Sequence, residues 1–474
     1  MPSHDIALIG LGVMGQNLVL NIDRHGFAVA VYNRTRSVTE QFVAGRAQGT
    51  AVKACYSMQE LAAALNIPRR VLLMVKAGSP VDAVIQEVRP HLQAGDLLID
   101  GGNSHFADTA RRSQELQAQG IHLLGVGISG GEEGALRGPS IMPGGPQAAY
   151  ELVRPIFEAI AARADDGAPC VAYLGPLGAG HYVKMVHNGI EYAVMQLIAE
   201  AYDLLQRGLG TPSDALARAF DEWSRAELAS YLMEITAAIL RRGDPETGKP
   251  MTEVILDSAE QKGTGRWTVQ EALELGVPIP TISAAVEARG LSALKAQRVA
   301  ASRRLSGPAA EPPGDRQSIE TAARHALYAG TVCAYAQGMA LLQRASGERG
   351  FGVNVAEAAR IWRAGCIIRA AMLEDIRRAY AAEPGLSNLL LASPFREELG
   401  KRQPGWRLAL ETSLRVGVPA PSGSASLAYY DGYRSARLPA NLTQAQRDYF
   451  GAHTYQRIDR EGTFHTDWLA ENDS

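Results

Sequence analysis

Five polar residues recur along the most apolar long segment of the chain: Lys184, His187, Asn188, Glu191 and Tyr192, at i, i+3, i+4, i+7 and i+8. In a helix this spacing puts all five on one face. Val183, Met185, Val186, Ile190, Ala193, Val194 and Leu197 fall on the others. A charged stripe is ordinarily a solvated surface. A helix this apolar, running from about Lys184 to Leu205, belongs at the centre of a domain, where its stripe would line a cleft. A lysine and a carboxylate two turns apart suit acid–base work. A free lysine is only about 0.04% neutral at pH 7. To act as a base, Lys184 needs burial or neighbouring cations to bring its pKa to about 7–8, whereas burial would raise Glu191 and fit it to donate a proton.

A second constellation lies near the start of the chain. Gly10-Leu11-Gly12-Val13-Met14-Gly15 follows the strand-like run Ile6–Ile9 and opens a helix, with another strand-like run at Ala28–Tyr32. The first glycine suits a tight turn, the second a close approach of backbone amides to a pyrophosphate, and the third the packing of helix on strand. The helix N-terminus then faces the phosphates. Where NAD enzymes usually carry an acid for the ribose 2′-hydroxyl, this chain has Asn33, Arg34 and Thr35. A guanidinium there can pair with a 2′-phosphate, so the expected dinucleotide is NADP. The competing reading of Arg34 is a solvent-facing residue at a strand end.

These residues need elements to position them. Through residue 178, β-rich runs (6–9, 28–32, 71–75, 97–100, 122–125 and 170–174) alternate with helical stretches, which predicts parallel strands with crossover helices, an α/β Rossmann domain. From 179 to 440 the β signal gives way to helical periodicity, which predicts a large all-α domain. Leu204-Leu205-Gln206-Arg207 and Leu341-Leu342-Gln343-Arg344 each precede an amphipathic stretch ending in tryptophan, Trp223 and Trp362. That suggests an internal helical duplication. Ser306–Asp315 is Pro/Gly-rich and expected to be exposed. Residues 441–474 form a C-terminal tail too polar for a core. It nevertheless carries Tyr449, Phe450, Tyr455, Phe464 and Trp468, aromatics that imply docking.

The bulk properties narrow the class. The 474 residues carry a formal net charge of −3, with 46% hydrophobic and 20% charged residues. This balance gives no reason to expect a nucleic-acid partner. Four scattered cysteines without metal spacing point to a reduced, cytoplasmic setting. The short head before the first strand leaves no room for a signal peptide, and no apolar stretch suits a membrane span. No metal site is expected.

Eight segments together resemble the 6-phosphogluconate dehydrogenase family over almost the whole chain. They are GLGVMGQNL (10–18), NRT (33–35), MVKAG (74–78), DGGNS (100–104), GISGGEEGA (127–135), HYVKMVHNGIEY (181–192), QKGTGRWT (261–268) and RDYFGAHTYQRID (447–459). The resemblance implies NADP-dependent oxidative decarboxylation of 6-phosphogluconate, the oxidative branch of the pentose phosphate pathway, by a homodimer whose tail enters the partner subunit. It implies a cofactor site from Gly10 to Gly15, Asn33, Arg34, Thr35, Val75, Lys76, Ala77 and Asn103. Asn103 would also meet substrate. Lys184 would be the base and Glu191 the acid. Ser129, Gly130 and Gly131 would meet the substrate's carboxylate end, as free backbone amides suit an anion. His187 and Asn188 would hold its hydroxyls. Tyr192, Lys262, Thr264 and Arg289 would hold its phosphate, with Arg447 and His453 from the partner's tail. Arg266 stands where the family often shows lysine, a change expected to be neutral. Two rivals remain at this point: a related β-hydroxyacid dehydrogenase acting on a small unphosphorylated acid, and a non-catalytic NADP-binding regulator.

Overall fold

The computed structural model describes residues 3–261, 263–308, 311–312 and 314–469. Seven strands form one sheet in the order β3-β2-β1-β4-β5-β6-β7. They are β1 (Ile6–Ile9), β2 (Val29–Tyr32), β3 (Lys53–Ala54), β4 (Arg70–Leu73), β5 (Leu97–Asp100), β6 (His122–Ser129) and β7 (Ser140–Gly144). β1 to β6 pair in parallel and β7 runs antiparallel to β6. The chain order reverses at β1, which puts a crevice at the carboxyl ends of β1 and β4, the place where such sheets take ligands. The inner strands β1, β4 and β5 are buried almost throughout, so they read as continuous apolar runs rather than alternations.

Two features depart from the alternation read in the sequence. Cys170–Leu174 forms no strand; it lies beside β7 with one parallel bridge, Val171 to Ile141, and two backbone bonds, Ile141 N–H to Cys170 O and Leu174 N–H to Pro143 O. Pro143 has no N–H, so a regular ladder cannot continue past it. The antiparallel β7 takes the edge instead.

The central helix Ala179–Asp203 follows directly and ends in a π turn, Leu204–Gly208. The long helix Arg316–Glu348 packs against it. Each is followed by a shorter helix, Ser213–Ser224 and Val355–Ile361, that leads to a buried tryptophan, Trp223 and Trp362. The two successions meet at an antiparallel bridge between Ser230 and Ala370. The described residues of the Ser306–Asp315 loop are exposed or half-buried.

Residues up to Ser426 form one compact unit, and those from Leu427 onward a second. The second unit is organised around Asp448, buried on the helix Ala440–Gly451. Its carboxylate accepts from Thr454 N–H (2.9 Å), Thr466 N–H (3.1 Å) and Trp468 Nε1 (2.8 Å), and pairs with His465 Nδ1 (2.9 Å). These donors hold the Asp448 carboxyl down to about 2, against the upward push of burial. Among the described residues no helix is long and apolar enough to cross a membrane.

Candidate active site

The glycine loop after β1 sorts its three glycines by packing. A Cβ on Gly10 (φ +104°) would strike the backbone of Met74, and one on Gly15 would strike the Gly10 carbonyl. A Cβ on Gly12 would meet nothing within 4 Å. The first and third are therefore fixed by the fold, and the second opens onto free space. Gly12 caps the helix Val13–Arg24 without a side-chain acceptor, which leaves the first amides free for phosphate. This geometry fits a dinucleotide. Leu11 is buried, and its carbonyl accepts from Gln16 Nε2 (3.0 Å). Asn33 Oδ1 accepts the Leu11 N–H (3.0 Å) and braces the loop. Arg34 is exposed, with no ion-pair partner among the described residues, and Thr35 caps the next helix.

A cleft of about 890 Å³ continues from this loop. Met14, Val75, Lys76, Ala77 and Asn103 line one side, Gln261, Gly263 and Trp267 another. Ile128 of β6 lines it too and precedes Ser129 in the chain. His105 also lines it and meets Trp267 edge-on, centroids 4.9 Å apart. His105 and Trp267 were not singled out in the sequence, although both sit within or next to quoted motifs.

Next to Ile128 along β6, Gly127 and Ser129 meet the polar face of the central helix. Lys184 is 6% exposed and His187 fully buried. Gly127 of β6 makes room for the lysine stem, since a Cβ there would lie 2.9 Å from Lys184 Cγ. Burial drives the Lys184 ammonium below its ordinary range, opposed by Glu191. Lys184 Nζ lies 3.3 Å from His187 Nδ1. Burial, with Lys184 beside it, lowers His187 well below the usual imidazole range. Burial raises Glu191, while Lys184 and Arg289 act the other way. Glu191 Oε2 is 3.8 Å from His187 Nδ1.

A hydrogen-bonded chain crosses the site. Ser129 Oγ contacts His187 Nε2 (3.1 Å), His187 Nδ1 contacts Asn188 Oδ1 (3.0 Å), and Asn188 Nδ2 donates to Thr264 Oγ1 (3.1 Å). With Nδ1 protonated, His187 donates to Asn188 and accepts the Ser129 hydroxyl, which suits a neutral ring. The chain links the end of β6, the central helix and the first residue of the helix Thr264–Glu274. Trp362 meets the His187 ring edge-on at 5.6 Å, a wall that the sequence did not reveal. Gly130 (φ +131°) and Gly131 (φ +62°) follow Ser129 and start the short helix Gly131–Arg137. Arg289 stacks over the Tyr192 ring at 3.4 Å and donates to the Glu260 carbonyl (3.1 Å).

The structure thus gathers Lys184, His187, Asn188, Glu191, Ser129 and Thr264, with Tyr192 further along the central helix beneath Arg289 of the helix Pro280–Ala293. Lys262 lies outside the described residues. Arg447 and His453 belong to the second compact unit, where both are exposed and Arg447 donates to Gln444 (3.0 Å). Among the described residues no cluster of three or more His, Cys, Asp or Glu could hold a metal ion.

Residues 5–175 match the family described as the NAD binding domain of 6-phosphogluconate dehydrogenase, and residues 180–468 match its C-terminal domain. A decarboxylating 6-phosphogluconate dehydrogenase of Synechococcus elongatus is 58% identical over 99% of this chain and 100% of its own. The NADP(+)-dependent, decarboxylating enzyme of Bacillus subtilis is 55% identical over the same shares. The solved structure of Plasmodium falciparum 6-phosphogluconate dehydrogenase, studied with NADP+ and with its substrate, superposes with a TM-score of 0.94 at 43% identity, covering 98% of this chain and 100% of that one.

Proposed function

This chain belongs to the 6-phosphogluconate dehydrogenase family, and on that premise we propose that it oxidises and decarboxylates 6-phospho-D-gluconate to D-ribulose 5-phosphate and CO2 with NADP. The observation that carries the reading is the polar face of the central helix, with Lys184 and His187 buried and Glu191 half-buried beside them, set against β6 next to Ile128 of the glycine-loop cleft. NADP, when bound, supplies the acceptor for the hydride that leaves C3. The free amides beside Gly12 hold its pyrophosphate, Arg34 its 2′-phosphate, and Val75, Lys76, Ala77 and Asn103 line its path.

Lys184, its ammonium disfavoured by burial, acts in its neutral form and takes the proton of the C3 hydroxyl as C3 is oxidised. The β-keto acid then loses CO2, because its ketone accepts the electrons. Protonated Lys184 stabilises the oxygen that gains charge. Glu191, whose protonated form burial favours, gives its proton to C1 of the enediol. His187 and Asn188 orient the substrate hydroxyls, and the amides of Ser129–Gly131 receive its carboxylate end. Tyr192, Lys262, Thr264 and Arg289 receive the phosphate, joined by Arg447 and His453 of a second copy, so the working unit is a homodimer with exchanged tails. The reduced cytoplasm is its setting, a reading supported by four buried, unpaired thiols.

The test is absorbance of the reduced nicotinamide with 6-phosphogluconate, run with NADP and with NAD while CO2 is trapped. Turnover with matching CO2 supports the proposal. NADP binding without turnover would point to a regulator or another hydroxy acid. Arg34→Ala should weaken NADP by about 10- to 150-fold, the worth of one charge-assisted hydrogen bond, and leave NAD nearly unchanged. Equal loss for both cofactors would refute the role of Arg34.

A further inference from the structure

The two loops that line the cleft after β4 and β5 are joined by one buried side chain. Arg112, on the helix Phe106–Gln117, is 2% exposed. Its guanidinium grips Asp82 with two bonds, Nε to Oδ1 (2.8 Å) and Nη2 to Oδ2 (2.9 Å). Nη2 also donates to the Gly78 carbonyl (3.0 Å), and Nη1 reaches Asp100 Oδ2 (3.5 Å). Gly78 caps the helix Ser79–Val88, and Asp82 lies in its first turn. Asp100 ends β5 and in turn accepts from Gly102 N–H (3.1 Å) and Ser104 Oγ (2.6 Å). Loop 74–78 and loop 100–104 are thus tied to the same planar group, with Lys76, Ala77 and Asn103 carried between the tie points and the cleft.

We propose that Arg112 is a positioning residue for the dinucleotide: it fixes the spacing of these two loops and so sets affinity for NADP, without itself lining the cleft. The inference rests on the cleft being the NADP site. Burying a guanidinium is costly, and an apolar cluster of similar volume would stabilise the fold as well or better. What the guanidinium adds is a rigid fork that holds acceptors from separate segments in one plane, which the single ammonium of lysine cannot do.

Three variants test this: Arg112→Lys, Asp82→Asn and the control Arg111→Ala, whose residue meets Asp82 from the exposed side at 2.8 Å. Melting curves establish folding, and steady-state rates are taken with NADP and 6-phosphogluconate varied separately. Arg112→Lys and Asp82→Asn should each raise the KM for NADP by about tenfold or more, the loss expected for a charge-assisted bond. The KM for 6-phosphogluconate, which Asn103 alone of the carried residues would also touch, should rise far less, and Arg111→Ala should resemble wild type. Should Arg112→Lys fail to fold, Asp82→Asn decides by the same split, since it leaves the guanidinium bound to Gly78 and Asp100. Folded variants with an unchanged NADP KM, or with both KM values raised alike, would overturn the proposal. A wild-type enzyme without NADP turnover would instead overturn the reading of the cleft.

Discussion

Replacing Lys184 with methionine is expected to abolish hydride transfer and CO2 release together, by about 10²- to 10⁴-fold, the usual worth of a positioned base. In the proposed mechanism one amine both takes the C3 proton and steadies the oxygen during decarboxylation, so neither step should survive alone. Lys184→Arg should be equally inactive: it keeps the charge, but a guanidinium stays protonated in any workable buffer. A high rate for the arginine variant would show that charge suffices and that proton transfer belongs elsewhere. The wild-type rate should rise with pH as the depressed Lys184 ammonium loses its proton, and that limb should vanish from any residual activity of the variants. The stability effect carries its own sign. A lysine whose folded pKa lies below its unfolded value costs stability at pH below the folded pKa, and this cost fades as pH rises toward the unfolded range. Lys184→Met should therefore melt higher than wild type at neutral pH, with the gain shrinking under alkaline conditions. A melting point well below wild type would mean that lost activity reports lost structure.

Much of this site was legible because its signals are local. The face Lys184–Tyr192 could be read from spacing alone, since five residues within nine fix their own relative directions once the helix forms. The roles of Gly10 and Gly15 were legible because each position excludes a Cβ by contact with backbone. What stayed hidden depends on distant segments. Arg112 sits in FADTARRSQELQ, which reads as an ordinary surface helix, because its acceptors Gly78 and Asp82 come from the crossover after β4 and Asp100 from the end of β5. Trp362 looked like the end of a repeat, and its contact with His187 exists only after the two helical successions meet. β3 has two residues and β7 contains Pro143 and Gly144, so neither carries a strand pattern. Cys170–Leu174 carries one and lacks the partner donors to use it. Asn33 was placed in the cofactor site by resemblance; its side chain braces the glycine loop, so it shapes the site through Leu11.

Glu191→Gln should separate the last proton transfer from the first two steps. The carboxamide keeps the size of the side chain and cannot donate a carboxylic proton, so oxidation and CO2 loss should still occur once per site while return of C1 to product stalls. Stopped-flow absorbance should show a first-turnover burst of reduced nicotinamide, followed by a steady rate lower by about 10²- to 10⁴-fold. Lys184→Met should show no burst. A normal steady rate for Glu191→Gln would remove Glu191 from the mechanism. Loss of the burst along with the steady rate would place it in the oxidation step. Here the pH signs are opposite to those of Lys184. Burial raises the Glu191 carboxyl, so the wild-type rate should fall as pH rises through that raised value, and this limb should be missing in the glutamine variant. An acid with a raised folded pKa is free of cost below its unfolded value and costs stability as pH rises through the folded one. The melting advantage of Glu191→Gln should accordingly grow with pH, where that of Lys184→Met shrinks. Both opposing trends follow from one condition, that burial disfavours the charged form of the amine and of the carboxyl alike.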